Sequence, residues 1–218
     1  MPMAHEPERS PGDAVARGVR DALCRRAPVE DQQFDVLYPD HIRRLSAVHW
    51  TPVSVALRAA ALLAPEPGMQ IADLGAGPGK LCCIGALARG GSWLGVEHNP
   101  RLVATAEGLA AQLGAAARFV AADMMELDWD RFDSLYLYNP FEADLFGAGR
   151  PDHAGWTAFA GQVARAEERL SALSTGTRVV TYHGFGGELP SSFALAFSEA
   201  IDHGELALWI RQPRSRRA

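Results

Sequence analysis

The sequence lacks several features, and each absence excludes a class of protein. It has a single lysine, Lys80, and a formal net charge of -5, so its whole surface is not built to hold nucleic acid or an anionic membrane. A local patch for nucleic acid is compatible with this balance. The N-terminal residues contain no apolar signal core, and no uncharged apolar run is long enough to span a membrane. These absences predict a cytoplasmic protein.

Cysteine is scarce as well. Cys24, Cys82 and Cys83 have no spacing typical of a metal site, and the adjacent pair on one helix points in different directions. We predict reduced, packed thiols and no metal. The excess of arginine over lysine is interpreted as a coding bias without chemical meaning. With 48% hydrophobic and 22% charged residues, the 218-residue chain has the composition of one globular domain.

The first fifty residues are predicted to be mainly helical. Residues 1–11 are rich in Pro and Glu and are expected to be mobile, and a helix follows in "DAVARGVRDALCRR". A second helical stretch, "FDVLYPDHIRRL", breaks near Pro39. In "HWTPVSVALRAAALLAPEPG", Thr51 is the predicted N-cap and Pro52 the first helical residue. We therefore expect residues 1–49 to form a helical extension that covers a pocket, and residues 50–218 to form the main domain.

Strands and helices then alternate, which is typical of parallel strands joined by crossover helices. The end of the chain differs, because "FALAFSEAIDHGELALWIRQ" reads as two strands joined by a turn at residues 202–204. The sequence therefore predicts an α/β fold with helices on both faces of a seven-stranded, mostly parallel sheet and a C-terminal antiparallel hairpin. The predicted strands are residues 70–74, 92–97, 117–121, 133–138, 177–183, 193–201 and 205–212, and the predicted helices between them are residues 79–88, 100–113 and 152–173.

The glycine-rich stretch "IADLGAGPGK" after the first strand has several possible ligands. A phosphate-binding loop would need Ser or Thr after Lys80, where the chain has Leu81. A dinucleotide turn would need a glycine at the position of Lys80. Because neither pattern fits, the ligand of this stretch has to be inferred from the segments that flank it.

Three segments in order, "DLGAGPGK", "GVEHNPRLV" and "AADMME", resemble the cofactor half of class I S-adenosylmethionine-dependent methyltransferases. The resemblance covers about residues 50–211 and implies a Rossmann-like fold and S-adenosyl-L-methionine as cofactor. It implies that Asp73 helps hold the amino-acid end of the cofactor, Glu97 the ribose hydroxyls and Asp123 the adenine amino group. The implied cofactor-binding residues are Asp73, Gly75, Ala76, Gly77, Gly79, Glu97, His98, Asp123, Met124 and Asn139.

Taken singly, each acid also has an ordinary structural interpretation. Asp73 could cap the next helix, Glu97 could be a solvated strand end, and Asp123 could begin a turn. Together, however, the three acids fall at the carboxyl ends of three successive parallel strands, which is where open α/β sheets bind ligands. The pattern as a whole therefore favours a cofactor site.

The fourth strand is followed by Asn139, Pro140 and Phe141, which resemble the Asn-Pro-Pro-Tyr type of motif in methyltransferases that act on nitrogen. There, an Asn oxygen and a Pro carbonyl accept the acceptor's N–H groups while an aromatic ring stacks on it. One proline of the motif is missing here, which shortens the segment by one residue. Only one of Asn139 and Phe141 can therefore occupy the position that the motif implies for it. The segment is also loosely similar to one in the non-SET histone lysine methyltransferases. The structural alternative is that Pro140 ends the strand and Phe141 closes the pocket.

These observations predict a methyltransferase that acts on nitrogen, with Asn139, Pro140, Phe141 and His183 as catalytic candidates. The acceptor is open between a protein amine, a nucleic-acid base and a small molecule. An oxygen acceptor would need a base, for which His183 in "TYHGFGG" is the candidate. Two further alternatives are a non-catalytic binding protein with this fold and an NAD-dependent oxidoreductase. The sequence does not predict an oligomeric state.

Overall fold

The computed structural model describes residues 11–141 and 152–213. The predicted mobility of residues 1–11 therefore concerns residues that lie almost entirely outside the described chain, and residues 142–151 and 214–218 lie outside it as well. The helices are α1 (Pro11–Cys24), α2 (Asp31–Asp35), α3 (Asp40–His49), α4 (Val53–Leu63), α5 (Lys80–Arg89), α6 (Pro100–Leu113) and α7 (His153–Ala172). The strands are β1 (Gln70–Leu74), β2 (Ser92–Glu97), β3 (Ala117–Ala121), β4 (Ser134–Tyr138), β5 (Arg178–Tyr182), β6 (Phe193–Ile201) and β7 (Gly204–Arg211).

The seven strands form one sheet in the order β3-β2-β1-β4-β5-β7-β6. The first five strands pair in parallel, and β7 lies antiparallel between β5 and β6. This arrangement confirms the predicted fold class, including the inserted antiparallel last strand. Because the order reverses between β1 and β4, a crevice forms at the carboxyl ends of these two strands, as in other doubly wound sheets.

One face of the sheet and the N-terminal helices share a hydrophobic core. Leu23 of α1, Phe34 of α2 and Ile42 of α3 are buried in the same cluster as side chains of α4, α5 and β1. Each fully buried side chain of this size contributes about 1.5–3 kcal/mol relative to exposure. Residues 11–49 are therefore packed onto the sheet layer rather than standing apart from it.

Helix α7 covers the opposite face of the sheet. Its buried residues Val163, Ala166 and Leu170 pack in a second core with strand side chains such as Leu135 and Val179. The described residues contain no helix that is both long and apolar enough to cross a membrane.

Two local predictions are wrong. Thr51 does not cap α4, because its hydroxyl is buried and lies 2.9 Å from the Tyr136 hydroxyl in a hydrogen bond. Asp31 takes over that end of the helix: its Oδ1 accepts the Val53 N–H at 3.0 Å. Cys24 is exposed on α1 rather than packed, whereas the two adjacent cysteines are buried, and all three are free.

Candidate functional site

The glycine turn between β1 and α5 is a tight, left-handed path held against β2. Gly75, Gly77 and Gly79 have φ values of 88°, 54° and 82°, which side chains other than glycine rarely adopt. A Cβ on Gly79 would lie 2.7 Å from side-chain atoms of Ala106 and Phe119. Glycine is therefore required at this position both by backbone conformation and by the helix and strand packed behind it.

Hydrogen bonds from the turn fix the direction of its backbone. The N–H groups of Gly75 and Ala76 donate to the Val96 carbonyl at 2.9 and 3.0 Å. The next donor, Gly77 N–H, reaches Glu97 Oε2 at 3.0 Å. The turn is thus tied to the end of β2 at three successive residues.

Asp73, the fourth residue of β1, is a buried carboxylate. It is 4% exposed, and the Cys82 thiol donates to its Oδ2 at a sulfur–oxygen distance of 3.7 Å. Burial raises the pKa of Asp73 from 3.8 to about 7; the Cys82 hydrogen bond opposes this shift and the charge of Glu97 adds to it. No cation among the described residues forms an ion pair with it, so a positively charged ligand group would stabilise its ionised form.

Glu97 ends β2 and is 6% exposed. Besides the Gly77 bond, its Oε1 accepts the Asn99 N–H at 2.8 Å. His98 is 82% exposed at its side chain, with Nδ1 3.3 Å from Glu97 Oε1. Each carboxylate oxygen has two lone pairs, so both oxygens of Glu97 can accept a further hydrogen bond from a ligand.

Asp123 and Met124 follow β3. Asp123 caps a short 3-10 helix, because its Oδ1 accepts the Met125 N–H at 2.8 Å. Both residues line a cavity of about 470 Å³, which we call the first cavity. The first cavity is lined by Gly75, Val96, His98, Ala122, Asp123, Met124, Met125, Pro140, Phe141 and Gln162. The sequence did not indicate Gln162, which reaches the site from α7.

The segment after β4 lies directly against the glycine turn. Pro140 Cβ would be 3.3 Å from a Cβ on Gly75, and Phe141 is 3% exposed within the second core. Asn139 has a φ of 38°, and its N–H donates to the Gly184 carbonyl at 2.9 Å. A positive φ at a residue other than glycine is uncommon and is concentrated at functional sites, where the surrounding structure holds it.

His183 follows β5 and also has a positive φ, 56°. Its ring stacks on Tyr138 with centroids 5.7 Å apart and meets Tyr182 edge-on at 4.4 Å. A Cβ on Gly204 would lie 2.4 Å from His183 Nε2, so the ring packs closely on the start of β7. His183 lines a second cavity, of about 630 Å³, instead of appearing in the wall of the first.

Lys80, at the start of α5, is a site feature that the sequence reasoning missed. Its ammonium is buried and contacts Asp31 at 2.5 Å, Asp35 at 2.8 Å and the Ser46 hydroxyl at 3.3 Å. The only lysine in an arginine-rich chain, immediately after a glycine turn, was the available signal. We call Lys80, Asp31 and Asp35 the lysine network.

Aromatic residues of the N-terminal segment also contact the turn. The Trp50 indole would lie 3.1 Å from a Cβ on Gly77, and the Tyr38 hydroxyl donates to the Pro78 carbonyl at 3.4 Å. With the lysine network, these contacts attach residues 31–50 to the outer side of the turn. Within the described residues, no group of three or more His, Cys, Asp or Glu side chains is arranged to hold a metal ion.

Comparisons with known proteins find similarity in structure. No protein-family model matches the chain, and no curated protein matches it. An RNA methyltransferase from Salinibacter ruber, solved with S-adenosyl-L-homocysteine, superposes with a TM-score of 0.54 at 20% identity and covers 77% of this chain and 99% of its own. TrmN from Thermus thermophilus gives a TM-score of 0.53 at 18% identity and covers 74% of this chain and 49% of its own.

A further neighbour extends over more of the chain. MtNAS, solved in complex with MTA and tNA, superposes with a TM-score of 0.52 at 15% identity over 93% of this chain and 72% of its own. A variant of MtNAS was solved with S-adenosylmethionine. At these identities the comparisons establish the fold. The chain has the Rossmann-like fold of S-adenosylmethionine-dependent methyltransferases.

Proposed function

We propose that this protein transfers a methyl group from S-adenosyl-L-methionine to a nitrogen atom of its acceptor. One observation carries the proposal: Asp73, Glu97 and Asp123 lie at or just after the carboxyl ends of three parallel strands, beside a glycine turn and a cavity that is lined by Gly75, Asp123, Pro140 and Phe141. A mononucleotide-sized ligand fits a cleft of this volume. This cavity is at the carboxyl ends of the strands, near the point between β1 and β4 where the strand order reverses, and open α/β sheets bind ligands at such points.

The residues present fit the chemistry of this cofactor. Asp73 supplies a buried carboxyl group for the ammonium of the methionine part; burial raises its pKa to about 7, and a bound ammonium would favour its ionised form. Glu97 accepts the ribose hydroxyls. Asp123 accepts the adenine amino group through the oxygen that does not cap the 3-10 helix, while Met124 packs on the ring and His98 borders it.

The glycine turn supplies the remaining contacts. At Gly75, Gly77 and Gly79 the backbone has positive φ and no side chain, so a ligand can approach the main chain closely. Ala76, between two of these glycines, is 8% exposed, and its N–H is tied to β2 through the Val96 carbonyl.

When bound, the cofactor supplies a methyl group on a positively charged sulfur. Asn139 then orients the acceptor: its side-chain oxygen, with the Pro140 carbonyl, accepts N–H hydrogens and directs the nitrogen lone pair at the methyl carbon. Phe141 closes the hydrophobic wall beneath. Most of the rate enhancement comes from this alignment, since a neutral amine needs no base during transfer.

Residues 1–49 are proposed to form an extension over the cofactor site, with residues 50–218 as the methyltransferase domain. The lysine network and the contact of Tyr38 with the turn support this proposal, because they hold parts of residues 31–49 against the turn. An acceptor oxygen is the second candidate, with His183 as base, because His183 and Asn139 occupy equivalent positions at the ends of adjacent strands.

The test is isothermal titration of the purified chain with S-adenosylmethionine, S-adenosylhomocysteine and NAD. We expect the first two to bind and Glu97→Gln to weaken binding about 10- to 150-fold, the equivalent of a lost charged hydrogen bond. Glu107→Gln, an exposed acid on α6, is the matched control and should bind normally. Binding of NAD alone would establish an oxidoreductase, and absence of all binding by folded protein would favour a scaffold.

A further inference from the structure

The second cavity lies next to the proposed methyl-transfer site. It is lined by the end of β5, the loop that follows and the start of β7. Gly184 forms part of its wall, and the Gly184 carbonyl accepts the Asn139 N–H. Pro140, the next residue, lines the first cavity. Asn139 therefore contacts a lining residue of the second cavity while its neighbour Pro140 lines the first, which places the second cavity beside the residue proposed to orient the acceptor.

The charge of this cavity is negative. Glu188 and Glu205 are exposed side chains that line it, together with Thr181 and His183, and no lysine or arginine stands among its lining residues in the described chain. A third cavity, of about 560 Å³, lies between α2, α3 and the β6–β7 turn. Two carboxylates that line the third cavity, Asp31 and Asp35, pair with Lys80, and its lining also includes Asp202 and Arg43.

Aromatic rings accompany the carboxylates of the second cavity. The ring of His183, which lines the second cavity, packs on Tyr138 and Tyr182, and neither tyrosine lines the cavity itself. Aromatic faces attract cations, as carboxylates do. Trp209, another lining residue, has a buried indole N–H without an acceptor among the described residues. A ligand that carries a carbonyl oxygen near its amine would provide that acceptor.

We propose that the second cavity binds the methyl acceptor and that this acceptor is a primary amine, positively charged in water, carried by a lysine side chain or by a free small molecule. This inference rests on the proposed function and names the class of its acceptor. A nucleic acid would bring phosphates against Glu188 and Glu205, whereas nucleic-acid sites present lysine and arginine to the phosphates. The acidic lining therefore selects against an RNA acceptor and concentrates cations.

The chemical step balances without a further reagent. The bound ammonium first releases a proton to solvent, which leaves a neutral amine with a free electron pair. That pair forms the new bond between nitrogen and the methyl carbon, while the bond between carbon and sulfur breaks and its electrons remain on sulfur. Positive charge passes from sulfur to nitrogen, and the products are S-adenosylhomocysteine, a methylammonium group and one proton.

The experiment supplies methyl-labelled S-adenosylmethionine and three probes: a lysine-rich peptide, spermidine and bulk transfer RNA. We expect label in the peptide or in spermidine, and the comparison of these two identifies the source of the amine. In the variant with Glu188→Gln and Glu205→Gln, KM for the amine should rise about tenfold because two attractive charges are lost. Affinity for S-adenosylmethionine should stay the same.

Glu168→Gln is the matched control, since Glu168 is an exposed acid on α7 that does not line the cavity. Circular dichroism checks that each variant is folded. Label in transfer RNA, label in neither amine, or amine transfer that is insensitive to the double substitution would overturn the acceptor assignment. Failure of the wild-type protein to bind S-adenosylmethionine is a different result, and it would overturn the proposed function itself.

Discussion

The lysine network is predicted to hold the glycine turn and the N-terminal helices together. Lys80 is 2% exposed at its side chain, and its two carboxylate partners lie 45 and 49 residues earlier in the chain. Lys80→Met keeps most of the aliphatic volume and removes the ammonium. The substitution therefore tests the charge interactions with little change in packing.

The size of the effect follows from the exposure of the partners. Removing one member of a buried ion pair typically costs about 3–5 kcal/mol, because the other charge is left uncompensated. The side chain of Asp31 is 39% exposed and can be solvated, whereas that of Asp35 is 12% exposed. We expect a loss near the lower limit, about 3 kcal/mol in free energy of unfolding. For a chain of this size, that loss lowers the melting temperature by roughly 6–12 °C.

Thermal unfolding at neutral pH, followed by circular dichroism, measures this change. Arg43→Met is the matched control, because Arg43 and its partner Asp40 are 44% and 78% exposed and such surface pairs contribute at most about 1 kcal/mol. Adding Asp35→Asn to Lys80→Met should restore part of the loss, since it removes the uncompensated carboxylate. A melting temperature of Lys80→Met no lower than that of Arg43→Met would refute the reasoning.

Three further predictions concern the site. The pKa of Asp73 is about 7 in the folded state and 3.8 in the unfolded state, so the free energy of unfolding should fall as pH rises between these values. Urea denaturation at pH 5 and pH 8 should show this fall in the wild type but not in Asp73→Asn, and equal falls in the two proteins would contradict the prediction. Asn139→Ala should lower the rate of transfer in a single turnover far more than cofactor affinity, whereas a normal rate beside a large loss in His183→Ala would indicate an oxygen acceptor. Gly79→Ala should destabilise the fold by about 1–3 kcal/mol through overpacking and strain, and an unchanged urea midpoint would show that the turn can relax.

Most of the sheet could be predicted because its signals are local. Each parallel strand is a short apolar run bounded by turn residues, and the crossover helices carry their own start and stop signals, such as Asn99 and Pro100 before α6. The position of the acids at one edge also followed from the sequence, since the carboxyl ends of parallel strands meet there. The roles of these acids toward a ligand remain predictions.

The contacts that escaped prediction are long-range. Nothing local to Lys80 indicates that Asp31 and Asp35 will meet it, because that pairing depends on how α2 docks against α5. The role of Thr51 was missed for the same reason. Its local sequence favours a helix cap, whereas tertiary packing brings its hydroxyl into a hydrogen bond with the Tyr136 hydroxyl. Backbone strain at Asn139 was equally inaccessible, because the motif names the residue but not its φ.

The glycine turn is held from two sides before any ligand binds. Glu97 accepts a turn N–H from the inner side, whereas Trp50, Tyr38 and the lysine network contact the turn from the outer side. A turn fixed in this way loses little conformational freedom on binding, which favours affinity. The N-terminal helices therefore both cover the core and hold the turn of the proposed cofactor site. Deleting these helices would expose the core and loosen the turn at the same time. Only point substitutions can therefore separate their contribution to the core from their contribution to the turn.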